Sequence, residues 1–543
     1  MTNAIGRALR ALGRLPWPVL AAMTGLSVVP VLCSAYGGTR LLQLVVLSLS
    51  AWMLLWRPGV RLPVRRLQLT AASVLLASFL LDGVVRGFIL SRYGTVPDST
   101  MVTTSMANTS VSESREFLVA FWPALALWAG IGLFTVSLLG LLLAAWWKKP
   151  VVRTRMTRRE RAVFILLLLL LVLAMTIRPW RNHHPLLFWP KWSASIIELR
   201  EQWHRAELQH ESFRRRAIDE APALTRDSPD TLVLVISDSI NREHLSVYGY
   251  PRETTPKLAS RRDNEPDKLK IFRYAWSADA STVLALNNFF YFGEPKRPDR
   301  HHLLALAAAA GYKTWWISNH DDLAVYKEHS ALADQRVMVN HFPGRSTTSL
   351  DLHILPPLEA ALQDDAKRKF IVVHLLGAHP HYENRYPSGR APFKGREDAV
   401  HDALKKDGRS FWAIASRNAY DAAIHFHDEV LDRTLELTAR AGKRARWIFL
   451  SDHGQEVGSV SDHAGHSAAS PDGYRIPLIL WGDMAKQLPH APDGMPVRSD
   501  WLGYSMMRML GIRWKGYRTE RDILHPAYQW QPPALPFSVD YYS

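Results

Sequence analysis

The chain has 543 residues, room for several domains, and its 66 Lys+Arg against 50 Asp+Glu give a formal charge of +16. The basic residues form no aromatic-interleaved patch, which argues against nucleic acid as the partner; they gather in short clusters between apolar runs, as in membrane proteins. The single cysteine, Cys33, excludes an intramolecular disulfide and leaves the redox compartment undecided.

Five apolar segments precede residue 180: Leu15–Tyr36, Leu41–Trp56, Leu67–Leu90, Phe117–Trp147 and Ala162–Ile177. Most approach or exceed the ~20 residues that cross a bilayer; the second and fifth lean on flanking residues. The first reads as a retained helix, because further apolar segments follow at once and no small-residue cleavage site stands out. Arg7, Arg10 and Arg14, then Arg57, Arg61, Arg65 and Arg66, then Lys148, Lys149, Arg153, Arg155, Arg158, Arg159 and Arg161 load alternate loops with positive charge. The positive-inside rule therefore predicts a cytoplasmic N-terminus, and five crossings put everything beyond about Arg178 on the opposite side. Asp82 and Arg86, one helical turn apart, read as a pair snorkelling near the interface, with a headgroup site as the alternative. The polar stretch Ser91–Glu116 reads as a long loop that covers a lipid or merely connects helices.

Residues 181–228 read as a linker, with an amphipathic helix over Ser193–Ala221 carrying Trp203 and Phe213 along the membrane surface or in solvent. From residue 229 the pattern changes. Apolar, β-branched runs at Thr231–Ile236, Lys313–Ser318, Phe370–Leu376, Trp447–Leu450 and Ile476–Trp481 alternate with helical stretches such as His301–Ala310 and Arg417–Ala439. That alternation predicts a doubly wound α/β domain over 229–543, following a five-helix transmembrane domain over 1–180.

Polar groups recur where these strands end, the position at which open α/β sheets bind ligands. Asp238 follows the first strand, Ser281-Thr282 precede a helical run, and His379 follows Phe370–Leu376. Asp452 and His453 end Trp447–Leu450, with His463 and His466 a short loop later. A carboxylate beside an imidazole, followed by Gly454, suits a divalent metal and a backbone that must turn away. Singly, each group also has an ordinary reading as a helix cap, a turn residue or a surface histidine.

Ser237-Asp-Ser-Ile-Asn-Arg-Glu-His-Leu-Ser-Val-Tyr-Gly-Tyr-Pro-Arg-Glu-Thr-Thr-Pro256 resembles the first signature block of the phosphoethanolamine transferases of Gram-negative envelopes. Gly311-Tyr-Lys-Thr-Trp-Trp-Ile-Ser-Asn319, His374-Leu-Leu-Gly-Ala-His379 with Arg385-Tyr-Pro387, and Ser451-Asp-His-Gly454 extend the resemblance, which is closest to the CptA-type branch. It implies an alkaline-phosphatase/sulfatase-like domain in the periplasm, held by helices in the inner membrane. It implies one or two zinc ions on Asp238 (usually Glu in relatives), Asp452, His453 and Thr282. Thr282 would be the nucleophile, with Ser281 as its rival. His379 and His463 would serve the phosphoryl group, with His466 the alternate to His463, and Asn319, His466 and Glu456 would bind substrate. Gln455 stands where many relatives carry Glu. The implied donor is phosphatidylethanolamine and the implied acceptor is lipopolysaccharide core heptose or lipid A. A phosphoglycerol transferase of the lipoteichoic-acid type and a membrane-anchored binding protein with a decayed site are the rival readings.

Overall fold

A computed structural model describes residues 38–56, 62–93, 96–109, 111–148, 156–293, 299–320, 323–340, 349–483, 485 and 494–542. The predicted span Leu15–Tyr36 with its arginines, and the basic stretches 57–61 and 149–155, lie outside these residues. The chain divides into two compact units: residues 1–91, 96–98 and 121–197, and residues 92–95, 99–120 and 198–543.

In the first unit the apolar segments form helices α1 (Gly38–Trp56), α2 (Leu62–Tyr93), α5 (Trp122–Lys148) and α6 (Arg158–Thr176), with the opening turns of α7 (Pro185–Asp219). Their leucine-rich faces bury Leu47, Ala51, Ala72, Leu76, Leu80 and Leu142 against one another. Helix α6 begins in a capping box, where Thr157 Oγ1 accepts from Glu160 N and Glu160 Oε2 from Thr157 N, satisfying two end groups that lack helical partners. Among the described residues, Pro63–Tyr93 and Trp122–Ala144 are long and apolar enough to cross a bilayer, and Arg40–Leu55 is a shorter apolar helix. The Asp82–Arg86 pair does not snorkel. Arg86 Nε lies 3.0 Å from Asp82 Oδ1, both side chains are buried, and the guanidinium sits 4.0 Å over the Phe188 ring. An ionised pair in an apolar bundle needs such a partner on every side, which the neighbouring turn of α7 supplies.

The second unit takes in two short helices from the stretch read as a loop: α3 (Thr100–Asn108) and α4 (Val111–Ala120). Asn108 Oδ1 accepts from Ala324 N (3.2 Å), and Arg200 Nε donates to Ala107 O (2.7 Å), so this stretch is packed structure. Phe213 of α7 is buried against Tyr291 and His302, in the unit's core and not at a headgroup level. At Phe213 the apolar stripe was legible and what covers it is protein; the side chain of Trp203 lies outside the described residues.

Seven strands form the main sheet: β1 (Thr231–Ser237), β2 (Leu269–Ile271), β3 (Lys313–Ser318), β4 (Gln335–Met338), β5 (Lys369–Leu375), β6 (Ala445–Ser451) and β7 (Leu478–Trp481). Their order is β2-β7-β6-β1-β5-β3-β4; the five from β6 to β4 run parallel, and β7 lies antiparallel to β6 and β2. The predicted run Ile476–Trp481 therefore splits, Arg475–Ile476 pairing instead with Ala275–Trp276 in a second sheet. Alternate side chains of β1 enter different cores: Leu232, Leu234 and Ile236 join one, Val233 and Val235 the other. The first core is closed by α9 (Thr282–Phe290), α10 (Leu303–Ala309) and α13 (Leu502–Met509), the second by α8 (Pro256–Asn264), α11 (Leu355–Gln363) and α12 (Phe411–Arg440). Burial on both faces explains why β1 reads as an unbroken apolar run. Chain order reverses about β1, so the carboxyl ends of β1 and β6 meet at a topological switch point.

The signature block after β1 is a structural knot. Thr254 Oγ1 donates to His244 O (2.6 Å) and accepts from Ser246 N (3.0 Å), while Arg252 bridges Asp398 and the buried Asp421. Burial alone would raise Asp421, but His244, Arg417 and Arg252 around it hold its carboxyl below the ordinary range. Gly454 has a steric reason too. A Cβ there would stand 2.1 Å from Asp472 O and 2.7 Å from Arg475 O. Gly454→Ala must push that backbone away, and we expect a loss of about 2 kcal/mol or more in urea unfolding, a large effect for one methyl group.

Candidate metal and phosphoryl-transfer site

The in-register ends of β1 and β6 (Ser237 opposite Ser451) deliver Asp238, Asp452 and His453 to one place. Among the described residues these three form a group whose possible ligand atoms all lie within 4.8 Å of one another, and all three are buried. His453 Nε2 stands 3.7 Å from both Asp238 Oδ1 and Asp452 Oδ2. Thr282, first residue of α9, adds a hydroxyl that donates to Asp238 Oδ2 at 3.1 Å and lies 3.5 Å from His453 Nε2.

These separations fit one small cation. Four ligands at the ~2.0–2.1 Å typical of zinc stand about 3.3 Å apart at tetrahedral angles, and the contacts run from 3.1 to 3.7 Å. Asp452 Oδ2 is buried without a hydrogen-bond partner, an orphan that a cation would satisfy. His453 Nδ1 lies 2.7 Å from Gly454 O; the carbonyl can only accept, so Nδ1 carries the proton and Nε2 turns its lone pair to the cluster. Burial pushes the Asp452 carboxyl up, and Asp238 adds to the rise. For His453 burial works downward, but the two carboxylates prevail and raise it. Carboxylates gathered in a buried place call for positive charge.

The support is built from the backbone outward. Ser239 takes the left-handed conformation (φ 64°), which turns its N–H to Asp452 Oδ1 (3.2 Å) and its hydroxyl to Asp238 Oδ1. Tyr420 secures this strained residue, its hydroxyl donating to Ser239 O (2.8 Å) and accepting from Asn241 N (2.9 Å). Gly377 (φ 56°) passes so close to Asp238 that a Cβ would meet its carbonyl at 2.6 Å. Ser237 Oγ lies 2.6 Å from His427 Nε2, and His427 Nδ1 3.7 Å from Asp351 Oδ2; this Ser-His-Asp row is buried and ties the strand ends together.

The remaining predicted residues separate into two groups. His466 and His379 border the cluster: the His466 ring is 4.7 Å from that of His453 and 6.0 Å from that of His379. The Ser281 hydroxyl instead donates to Asp279 Oδ1 (3.0 Å), and Thr282 alone of the two reaches Asp238. His463, at the base of a hairpin (Glu456–Val457 against Ala464–Gly465), turns Nε2 to His466 O at 3.2 Å. Glu456 is engaged by Val460 N and Ser470 Oγ, Asn319 by Ser349 and Asp351, and Gln455 Nε2 donates to Tyr382 Oη. These side chains are committed to hydrogen bonds inside the fold. His320 was missed. Its Nε2 lies 3.4 Å from Asp238 Oδ2, and its ring stacks on His374 at 4.1 Å. It stands two residues past β3 as Asp238 stands one past β1, and that parallel was the available signal.

Burial lowers His463 to about 4, against ~6.5 in an unfolded chain. Between those values the unfolded chain binds the extra proton, so stability rises with pH there. The contribution is complete above pH ~6.5, declines toward pH ~4 and changes no further below. A His463→Gln variant should flatten urea stability over that window, by at most ~1.4 kcal/mol per pH unit.

Residues 230–512 match the model of the sulfatase family. Phosphoethanolamine transferase CptA of Salmonella typhimurium is 31% identical over 320 residues, 56% of this chain and 54% of that protein. The chain thus spans about half the length of the curated relative it matches. The periplasmic domain of Escherichia coli EptC in complex with Zn superposes with a TM-score of 0.52 at 29% identity, covering 58% of this chain and 93% of that one. The integral membrane lipooligosaccharide phosphoethanolamine transferase A of Neisseria meningitidis shares the fold over 95% of this chain and 98% of its own, with TM-score 0.57 and 18% identity. The family resemblance read from the motifs holds.

Proposed function

Because the chain belongs to the sulfatase family, and a protein similar to it is named a phosphoethanolamine transferase, we propose that it transfers phosphoethanolamine from phosphatidylethanolamine to lipopolysaccharide. The acceptor would be core heptose or lipid A. The observation that carries this reading is the Thr282 hydroxyl, held at a helix N-terminus against the Asp238–His453 cluster.

Asp238, Asp452, His453 and Thr282 would hold zinc, in keeping with the Zn complex of the EptC domain. When bound, zinc acidifies a hydroxyl it touches and offsets charge developing on phosphoryl oxygens. Thr282 Oγ1 forms a bond to phosphorus as the bond from phosphorus to the diacylglycerol oxygen breaks, and its proton passes to Asp238 Oδ2, the partner it already touches. The first turn of α9, which begins at Thr282, would turn its N–H groups to the phosphoryl oxygens. His379 and His466 supply the proton to the departing diacylglycerol. An acceptor hydroxyl or phosphate then takes phosphorus from Thr282, returns a proton to the imidazoles if it carries one, and Thr282 recovers its own from Asp238.

The charge distribution supports a periplasmic catalytic unit on inner-membrane helices, five if Leu15–Tyr36 is one. The domain limits we assign are 1–180, 181–228 and 229–543. The full chain in vesicles, given lipopolysaccharide and phosphatidylethanolamine labelled in its headgroup, should label the acceptor. Transfer from phosphatidylglycerol instead would favour the lipoteichoic-acid-type reading.

A further inference from the structure

His320 carries nothing in the reaction just described, yet it is wholly buried and addresses the oxygen that Thr282 also uses. Asp238 divides its two oxygens. Oδ1 receives Ser239 Oγ and faces His453 Nε2; Oδ2 receives Thr282 Oγ1 at 3.1 Å and has His320 Nε2 at 3.4 Å. A carboxylate that holds a metal needs its other lone pairs fixed, or the group rotates and the ligand oxygen moves. Thr282 supplies that restraint only until its proton passes to Oδ2, so a second donor is needed during the reaction. The ring of His320 is itself held, lying nearly parallel to His374 (12°) at 4.1 Å, and His374 Nδ1 is 3.3 Å from Ser318 Oγ. Ser318 Oγ also accepts from His320 N at 3.0 Å. Ser318 of β3 therefore fixes the backbone of His320, and His374 of β5 its ring plane.

Resting on the metal reading above, we propose that His320 is a positioning residue that donates from Nε2 to Asp238 Oδ2 and so orients this carboxylate for the cation while Thr282 gives up its proton. His320 touches neither phosphorus nor donor lipid in this role. Its effect should appear in metal affinity before any chemistry.

The test uses the full chain in detergent, stripped and titrated with zinc against a competing chelator, in three forms. His320→Phe keeps a flat ring against His374 but removes the donor; His320→Gln removes the ring but keeps an N–H of similar reach. Both preserve bulk in the buried position, and circular dichroism of each zinc-free form checks its fold. The expected result is zinc binding weakened roughly 10–100-fold in the Phe variant and largely restored in the Gln variant. The zinc-dependent rise in melting temperature, measured from each variant's own zinc-free state, should follow the same order. Wild-type affinity in a folded Phe variant overturns the role, as does a Gln variant as weak as Phe. A wild-type chain that binds no zinc overturns the metal reading, and this role with it.

Discussion

We expect Thr282→Ala to abolish transfer, a fall of roughly 10⁴-fold or more, because it removes the atom proposed to bond to phosphorus. The fold should be untouched. Thr282 begins a helix, where alanine is well tolerated, and the neighbouring Ser281 is the N-cap. Thr282→Ser keeps the oxygen in place and should retain measurable turnover. Ser281→Ala should remain active, since that hydroxyl is committed to Asp279 and not to the cluster. The three variants together separate a nucleophile from a structural hydroxyl, through initial rates of headgroup transfer at saturating donor. Equal loss in Thr282→Ala and Ser281→Ala would point to damage of the helix start.

Removing zinc is the second large effect. Chelation, or Asp452→Asn in its place, should lower turnover by on the order of 10³-fold, since several kcal/mol of charge stabilisation disappears at once. Asp452 is the sharper choice, because its buried Oδ2 has no hydrogen-bond partner to lose. An amide there is nearly isosteric and neutral, so the zinc-free variant should be as stable as the zinc-free parent or more so. It relieves the repulsion with Asp238 that helps push the Asp452 carboxyl up. Zinc at 100 times its Kd should stabilise the parent by about 2.7 kcal/mol and the variant hardly at all. Calorimetric melting with and without zinc measures both statements.

What the sequence made legible, and what it hid, divides along physical lines. Strands buried on both faces write themselves as apolar runs, so β1, β3, β5 and β6 could be read to within a residue or two. Asp238 and Asp452 were readable for the same reason, each standing one residue past such a strand, with His453 next in line. The hairpin histidines were not. Whether His463 or His466 faces the metal cluster depends on the pairing of Glu456 with Gly465, which no periodicity of a two-residue strand reveals. Asn319 and His320 are adjacent, and only the turn after β3 decides that the first bonds to Asp351 and the second reaches Asp238. Phe213 and the Asp82–Arg86 pair show a related limit: a local pattern marks which face is apolar or charged, and only tertiary packing says what meets it.

Covalent transfer through Thr282 is tested most directly by intact mass and peptide mapping of the zinc-loaded full chain after incubation with phosphatidylethanolamine. The expected result is a phosphoethanolamine adduct on the peptide bearing Thr282, absent from Thr282→Ala and discharged when lipopolysaccharide is added. An adduct on Ser281, or label passing to lipopolysaccharide at full rate from the Thr282→Ala variant, would contradict it.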